Sequence, residues 1–321
     1  MMMRKAVLAL ALAVVSTAAA AGVSRDLPYP NKRDGFTGDE LAAQVYFVNH
    51  FFAFKNIGIV RADNGAITHI LNKEAGEPAP KVIEIERHLN NDYTGGDIKA
   101  RDMALFHSGK LKGTGMLITD YVDDAKSQSY MIWIPALRKI RRFAQPDKLD
   151  AYGGTVFTFD DVLLRKPEEE THEIQGREEF KGCLGSIDLS NAGELPESIR
   201  KRQAACRHDG KPVYLLKSTP KRENWPYDYR VSYVDVRSFA DYRTRYYKGG
   251  KEIKVIDRDW GLLPGEKQLA DARALYWRYW YGKDLETGYE TWAVVPFETF
   301  VYDQSRDSNF WSEDTLTRFK Q

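Results

Sequence analysis

After residue 58 the sequence settles into short segments in which apolar and polar side chains alternate, and that pattern limits the fold to a sheet. Residues 82–89 set Ile83 and Ile85 against Glu84 and Glu86. Residues two apart share one face of a strand, so such a segment has one side for a core and one for water. Residues 101–107, 115–119, 129–134, 155–160, 172–180 and 211–219 read as further strands. The pattern continues through 229–236, 241–248, 251–257, 276–282 and 288–295. Lys248-Gly249-Gly250 marks a hairpin turn between two of them. A short helix is expected over residues 264–276, and a polar tail follows Asp303.

One strong helix precedes the strands. Thr37 followed three residues later by Glu40 has the form of a capping box. Leu41, Val45, Val48 and Phe52 recur at helical spacing, and Phe47, Phe51 and Phe54 widen the apolar face. Asn56 and Gly58 are stop signals. A helix this aromatic must be covered. About ten antiparallel strands offer it a curved sheet face, so the expected class is mainly β with helix packed on sheet.

Residues 1–21 read as an export signal. Arg4 and Lys5 form a charged start, Ala6 to Val15 a short apolar run, and Ala18 to Ala21 a small-residue cleavage region. The apolar run is shorter than the roughly 20 residues that span a bilayer. The mature chain is then one domain over residues 22–321, in an exported compartment, which in a Gram-negative cell is the periplasm. Loss of the signal leaves 45 basic against 46 acidic residues, from the 47 and 46 of the whole chain. A nearly neutral chain with one local basic cluster is not a general nucleic-acid binder. In an oxidising compartment Cys183 and Cys206 are expected to close one disulfide around residues 183–206; two free thiols are the competing reading.

Catalytic motifs are missing. The sequence has no GxSxG elbow, no P-loop and no GxGxxG. His50, His69, His88, His107, His172 and His208 are scattered, with no HxxxH pair, so no metal site and no cofactor are expected. Asp123-Asp124 and Asp160-Asp161 are adjacent pairs, and neighbours on a strand face opposite ways.

Two other features carry both a structural and a functional reading. Arg138, Lys139, Arg141 and Arg142 follow an apolar strand and Pro135. They guard a strand edge, or they contact an anion: a headgroup, a membrane surface or an acidic partner. Trp133, Phe157, Phe159, Tyr233, Trp277, Tyr279 and Trp292 are core aromatics, or they line a pocket for an apolar ligand.

A set of linked motifs bears on that choice. WIPALRKIRRFA runs from Trp133 to Ala144, and GGTVFTFDDVL starts at Gly153. LKGTGMLI (Leu111 to Ile118) precedes them; HEIQGREEFKG (His172 to Gly182) and PVYLLKSTPK (Pro212 to Lys221) follow. In order and spacing, over about residues 100–300, this resembles the LolA-like family of outer membrane lipoprotein-sorting proteins. The resemblance implies a curved, incomplete antiparallel β-barrel with helices on its concave face. It implies an apolar cavity that carries a lipid or acyl chain through the periplasm, and an inner-membrane RND/MMPL-type transporter as partner. Leu105 and Leu117 join the aromatics as expected cavity lining. Leu41, Val45, Val48 and Phe52 are the expected lid, and the basic cluster the headgroup or partner contact. A non-carrying accessory protein of a transport complex is the alternative. The sequence departs from the family at the cysteine-flanked insertion 183–206 and in the Trp- and Tyr-rich stretch from Trp277 to Trp292.

Overall fold

The computed structural model describes residues 23–31, 35–123, 125–143, 148–163, 165–190, 195–200, 202–263 and 270–318. The expected signal peptide and residues 264–269 of the helix expected at 264–276 lie outside the described residues; Leu275 and Tyr276, at its far end, belong to a strand instead.

Helix α1 (Gly38–Asn49) starts where its capping box places it. Thr37 Oγ1 accepts from the Glu40 N–H at 3.1 Å, and the Glu40 carboxylate accepts from the Thr37 N–H at 2.8 Å. Its first residue lies against the backbone at His172. A Cβ on Gly38 would stand 2.1 Å from the His172 carbonyl oxygen, so only glycine lets the helix come this close.

Among the described residues the strands form one antiparallel sheet. They are β1 (Asn56–Ile59), β2 (Thr68–Lys73), β3 (Lys81–Asn90), β4 (Ile98–Phe106), β5 (Gly115–Tyr121), β6 (Ser129–Ile134), β7 (Lys139–Phe143) and β8 (Glu170–Glu179). Then follow β9 (Pro212–Pro220), β10 (Tyr229–Asp235), β11 (Asp241–Lys248), β12 (Lys251–Leu262), β13 (Leu275–Asp284), β14 (Glu290–Val294) and β15 (Phe300–Tyr302). The main order is β7-β6-β5-β4-β3-β2-β14-β13-β12-β11-β10-β9-β8, and β1 joins β3 to β15. The sheet is open and curved, the incomplete barrel the sequence leads one to expect.

This order has a consequence for the inner face. The chain enters the sheet near its centre, walks outward to the β7 edge, and must then reach the opposite edge to start β8. β8 leads back, strand by strand, to β14, which pairs with β2 at the centre. The segment between β7 and β8 therefore crosses the mouth of the half-barrel. It packs beside α1 on the inner face.

The strand expected at 155–160 is not formed. Gly153 and Gly154 both take positive φ, 60° and 76°, and turn the chain. Thr158 then caps a short helix, α2 (Phe159–Leu163): its Oγ1 accepts from the Asp161 N–H, and the Asp161 carboxylate accepts from the Thr158 N–H. The spacing Thr158-x-x-Asp161 is a helix start hidden inside an apparent alternation.

The outer face has two covers. The described residues of 183–206 cover β11–β14, burying Leu184, Ile187, Leu195, Ile199 and Ala205. Gly185 sits flat on the Tyr281 ring, where a Cβ would be 2.1 Å from the nearest ring carbon. The Cys183–Cys206 disulfide closes this cover, with Cα atoms 4.0 Å apart. The second cover is the C-terminal segment. Trp311 and Leu316, the latter on α3 (Glu313–Arg318), pack against Met103, Leu105 and Leu117. The tail after Asp303 is thus not simply polar.

The disulfide closes a loop with a sequence separation of 23. A loop of that length stabilises by about 3 kcal/mol in the chain-entropy model. Replacing both cysteines by alanine is expected to lower the unfolding free energy by about that amount. Urea unfolding followed by tryptophan fluorescence measures it; an unchanged midpoint would show that the cover stays seated without its link.

Candidate functional site

The crossover between the two sheet edges is the inner-face element with space on both of its sides. It is seated by three specific contacts. The Val156 N–H donates to Thr291 Oγ1 at 2.9 Å, and that hydroxyl donates to Asn72 Oδ1 at 2.7 Å. Tyr289 Oη donates to the Gly154 carbonyl at 2.7 Å. Gly282 of β13 leaves a flat place on the sheet, where a Cβ would come within 2.5 Å of Val156 and 2.6 Å of Phe157.

Beneath the crossover lies an apolar cavity of about 80 Å³. Its floor is sheet: Ile59, Thr68, Ile70 and Ile85 from one half, Trp277, Trp280, Ala293 and Val295 from the other. Its roof is the crossover itself, Tyr152, Thr155, Phe157 and Val162. The one charged side chain in the lining, Arg87, is neutralised by a bidentate pair with Asp102, with Nε 3.0 Å from Oδ1. Its guanidinium also lies 5.1 Å from the Trp277 ring centre. A cavity whose wall charge is satisfied offers shape and apolar surface.

On the other side of the crossover opens a cleft of about 760 Å³. Its walls mix aromatics with charge: Tyr227, Tyr246, Tyr289, Lys248, Lys254, Asp284 and Glu286. Thr155 lines both spaces, so the crossover is a partition between an apolar chamber and a polar mouth.

Buried charge fixes the foot of this partition. Asp161 is fully buried and accepts from Tyr246 Oη at 2.7 Å and Lys254 Nζ at 2.5 Å. Arg165 pairs with Asp160 at 3.1 Å, and reaches Asp161 at 3.5 Å and Glu170 at 3.8 Å. Arg230 holds Glu170 at 2.6 Å. Burial raises the pKa of Asp161, but the Lys254 and Arg165 charges outweigh it and hold the carboxyl well below the usual range. Glu170 is lowered in the same way: burial opposes, and Arg230 and Arg165 prevail. Asp160 differs, with burial outweighing Arg165 and pushing its pKa up. His50, at the end of α1, is driven down to about 3 by burial and by the Lys99 charge, so it stays neutral.

The expected site residues divide between the two faces. Phe157 and Trp277 line the cavity. Phe159 lies beside it, edge-on to Tyr130 and Tyr152 on the inner face. Leu105, Leu117 and Trp133 are on the outer face, packed with Trp311 and Leu316. Tyr279 and Trp292 are also on the outer side, under the insertion: Tyr279 Oη accepts from the Ala205 N–H, and its ring meets Trp292 edge-on at 5.5 Å. Tyr233 packs edge-on against Phe180. Leu41, Val45 and Val48 of α1 join the main core and Phe52 a small cluster with Tyr46 and Phe47; none lines the cavity. The cavity's roof is therefore the crossover, with α1 beside it. Of the basic cluster, Arg138 forms the turn with φ 48° and Lys139, Arg141 and Arg142 stand exposed on edge strand β7. Arg142 pairs with Glu313 of the C-terminal cover.

Ile70, Ile85, Ala293 and Val295 also line the cavity; of these, Ile85 stands on the apolar side of the alternating residues 82–89, while Ile70 lies in a segment with no such pattern. β2 is buried on both faces, so it shows no alternation from which an inner side could be read. Among the described residues no group of three or more His, Cys, Asp or Glu could hold a metal ion. No helix among them is long and apolar enough to cross a membrane.

Residues 99–184 match a family described as an uncharacterized protein. No curated protein matches the chain. Solved structures do. A domain from Vibrio parahaemolyticus named for outer membrane lipoprotein sorting is 15% identical, with TM-score 0.62 over 88% of this chain and 98% of its own. A DUF1329 family protein from Desulfovibrio piger is also 15% identical, with TM-score 0.62 over 87% and 97%. A LolA superfamily protein from Nitrosomonas europaea is 11% identical, with TM-score 0.51 over 88% and 100%. The chain shares their fold, in agreement with the resemblance in its motifs.

Proposed function

We propose that this protein is a periplasmic carrier for an apolar ligand, a lipid or an acylated molecule, and not an enzyme. The observation that carries the reading is the partition: the crossover lies between an apolar chamber and a polar mouth. An amphiphile fits that arrangement with its chain under the crossover and its head in the cleft. Each buried CH₂ contributes roughly 0.8 kcal/mol, so a chain is held without specific polar contacts.

The chamber at about 80 Å³ is smaller than typical ligand pockets of ~300–1,000 Å³, while the cleft at about 760 Å³ falls within that range. Loading thus requires the crossover to lift from Gly282 and join the two spaces, a population shift between closed and open forms. The exposed basic edge, Arg138, Lys139 and Arg141, is the proposed contact for an acidic partner, and an inner-membrane RND/MMPL-type transporter is the proposed partner. The signal at residues 1–21 supplies the route to the periplasm.

The test is native mass spectrometry, with lipid extraction, of protein purified from the periplasm without detergent. A bound mass that extracts as lipid is expected, and is expected to be lost in Ile70→Trp, which fills the chamber floor. A protein that remains empty after incubation with envelope lipids would overturn the carrier reading and favour an accessory that carries nothing.

A further inference from the structure

We propose a second binding site, on the outer face and separate from the chamber, for the anionic group of a small ligand, a carboxylate or a phosphate monoester. A pocket of about 200 Å³ lies at the end of β13 and β14, between the sheet and the disulfide-closed insertion. Arg202 comes from the insertion; Tyr276 and Arg278 come from β13; Phe297 and Glu298 form the rim.

The charge balance of this pocket points to an anion. Arg202, Arg207 and Arg278 gather around one buried carboxylate, Asp259. Asp259 is shared between His208 at 2.9 Å, Arg207 at 3.4 Å and Arg278 at 3.4 Å. Among the described residues Arg202 has no carboxylate partner. It is held by two backbone carbonyls, of Arg278 and Val295, each 3.2 Å from its Nη2. The Nε of Arg202 is buried with no hydrogen-bond acceptor, whereas that of Arg278 faces the Asp259 carboxylate at 3.4 Å. Burial first, and then the neighbouring Arg278 charge, lowers the pKa of Arg202, and the Asp259 charge opposes both. Glu298 makes no ion pair with these arginines among the described residues, so the excess stays positive.

The remaining groups suit a ligand with an oxyanion and a small apolar body. Arg278 donates to Tyr276 Oη at 3.3 Å, which leaves the phenolic proton to donate to a bound oxygen. Tyr276 is held in place by Gly261, where a Cβ would stand 2.4 Å from its ring. Its ring lies 5.1 Å from that of Phe297, which is half exposed and gives the pocket an apolar wall. Two guanidiniums and a phenol around such a wall match the fork geometry by which arginine takes carboxylate and phosphate. Val295 lines both this pocket and the chamber, so the two sites are neighbours.

The probes are benzoate and inorganic phosphate, each titrated by calorimetry into the whole mature protein at constant ionic strength set with chloride. At least one is expected to bind, and which one identifies the ligand class. Arg202→Gln is expected to weaken it about tenfold or more, the loss of one charge-assisted contact. Glu298→Gln is expected to tighten it, because a rim carboxylate repels the ligand. That opposite sign also keeps the test decisive if Arg202→Gln fails to fold. Absence of binding by both anions at ten-millimolar levels (roughly the weakest range worth calling a site) overturns the proposal. So does binding that neither substitution changes. The anions do not require the chamber to open, so these outcomes are independent of whether lipid is carried.

Discussion

Asp161→Ala is expected to destabilise the protein by about 3–5 kcal/mol, the usual cost of removing one partner from a buried ion pair. The carboxylate is fully buried and receives Tyr246, Lys254 and both the N–H and the hydroxyl of Thr158. Without it, Lys254 is left inside without its nearest counter-charge, and the cap of α2 loses its reciprocal half, the bonds from Thr158 to the carboxylate. The crossover should detach before the sheet unfolds. Urea unfolding of the variant measures the loss, and proteolysis near residues 148–163 reports the detachment. Adding Lys254→Met should restore part of the stability, because the stranded cation is then gone. A loss below about 1 kcal/mol, the range of exposed pairs, would show that buried charge does not seat the crossover.

The same carboxylate sets a pH dependence. Its folded pKa lies below the unfolded value, so the stabilisation is present above about pH 4 and is lost as pH falls through the folded pKa. Glu170 contributes in the same direction. Asp161→Asn should therefore flatten the fall in stability below about pH 4. If the crossover gates the chamber, acid should also release ligand from the wild type before global unfolding.

Much of the sheet could be read from alternation because most strands have one wet face. The failures are where that condition breaks. β2 is buried on both faces, three of the five residues of β7 are charged, and β1 and β15 are short. Segment 155–160 alternates, yet two left-handed glycines and the Thr158–Asp161 cap make it a turn and a helix. Apolar character alone could not tell inner from outer residues. Leu105 and Ile85 look alike in sequence, and only the covers decide that one meets Trp311 and the other the chamber. The second cover was hidden because Trp311 and Leu316 are isolated in a polar tail. The disulfide, by contrast, followed from compartment and count alone.

Trp292→Ala tests the division between the faces most directly. Trp292 has no exposed surface and packs against Tyr279. Its indole N–H has no acceptor, so it contributes as volume and not as a donor. Truncation should cost about 3–5 kcal/mol, and Trp292→Phe distinctly less. The folded fraction should nevertheless carry the same ligand at the same stoichiometry as the wild type, because the side chain lies under the insertion, away from the chamber. Trp280→Ala should do the reverse in function. Trp280 forms part of the chamber floor and meets Phe157 edge-on at 5.5 Å, so its loss enlarges the chamber and loosens the roof. Paired urea midpoints and native mass spectra of the two variants decide the matter. A folded Trp292→Ala protein that had lost its ligand would place the working cavity on the outer face, and the crossover would then be only a structural tie between the sheet edges.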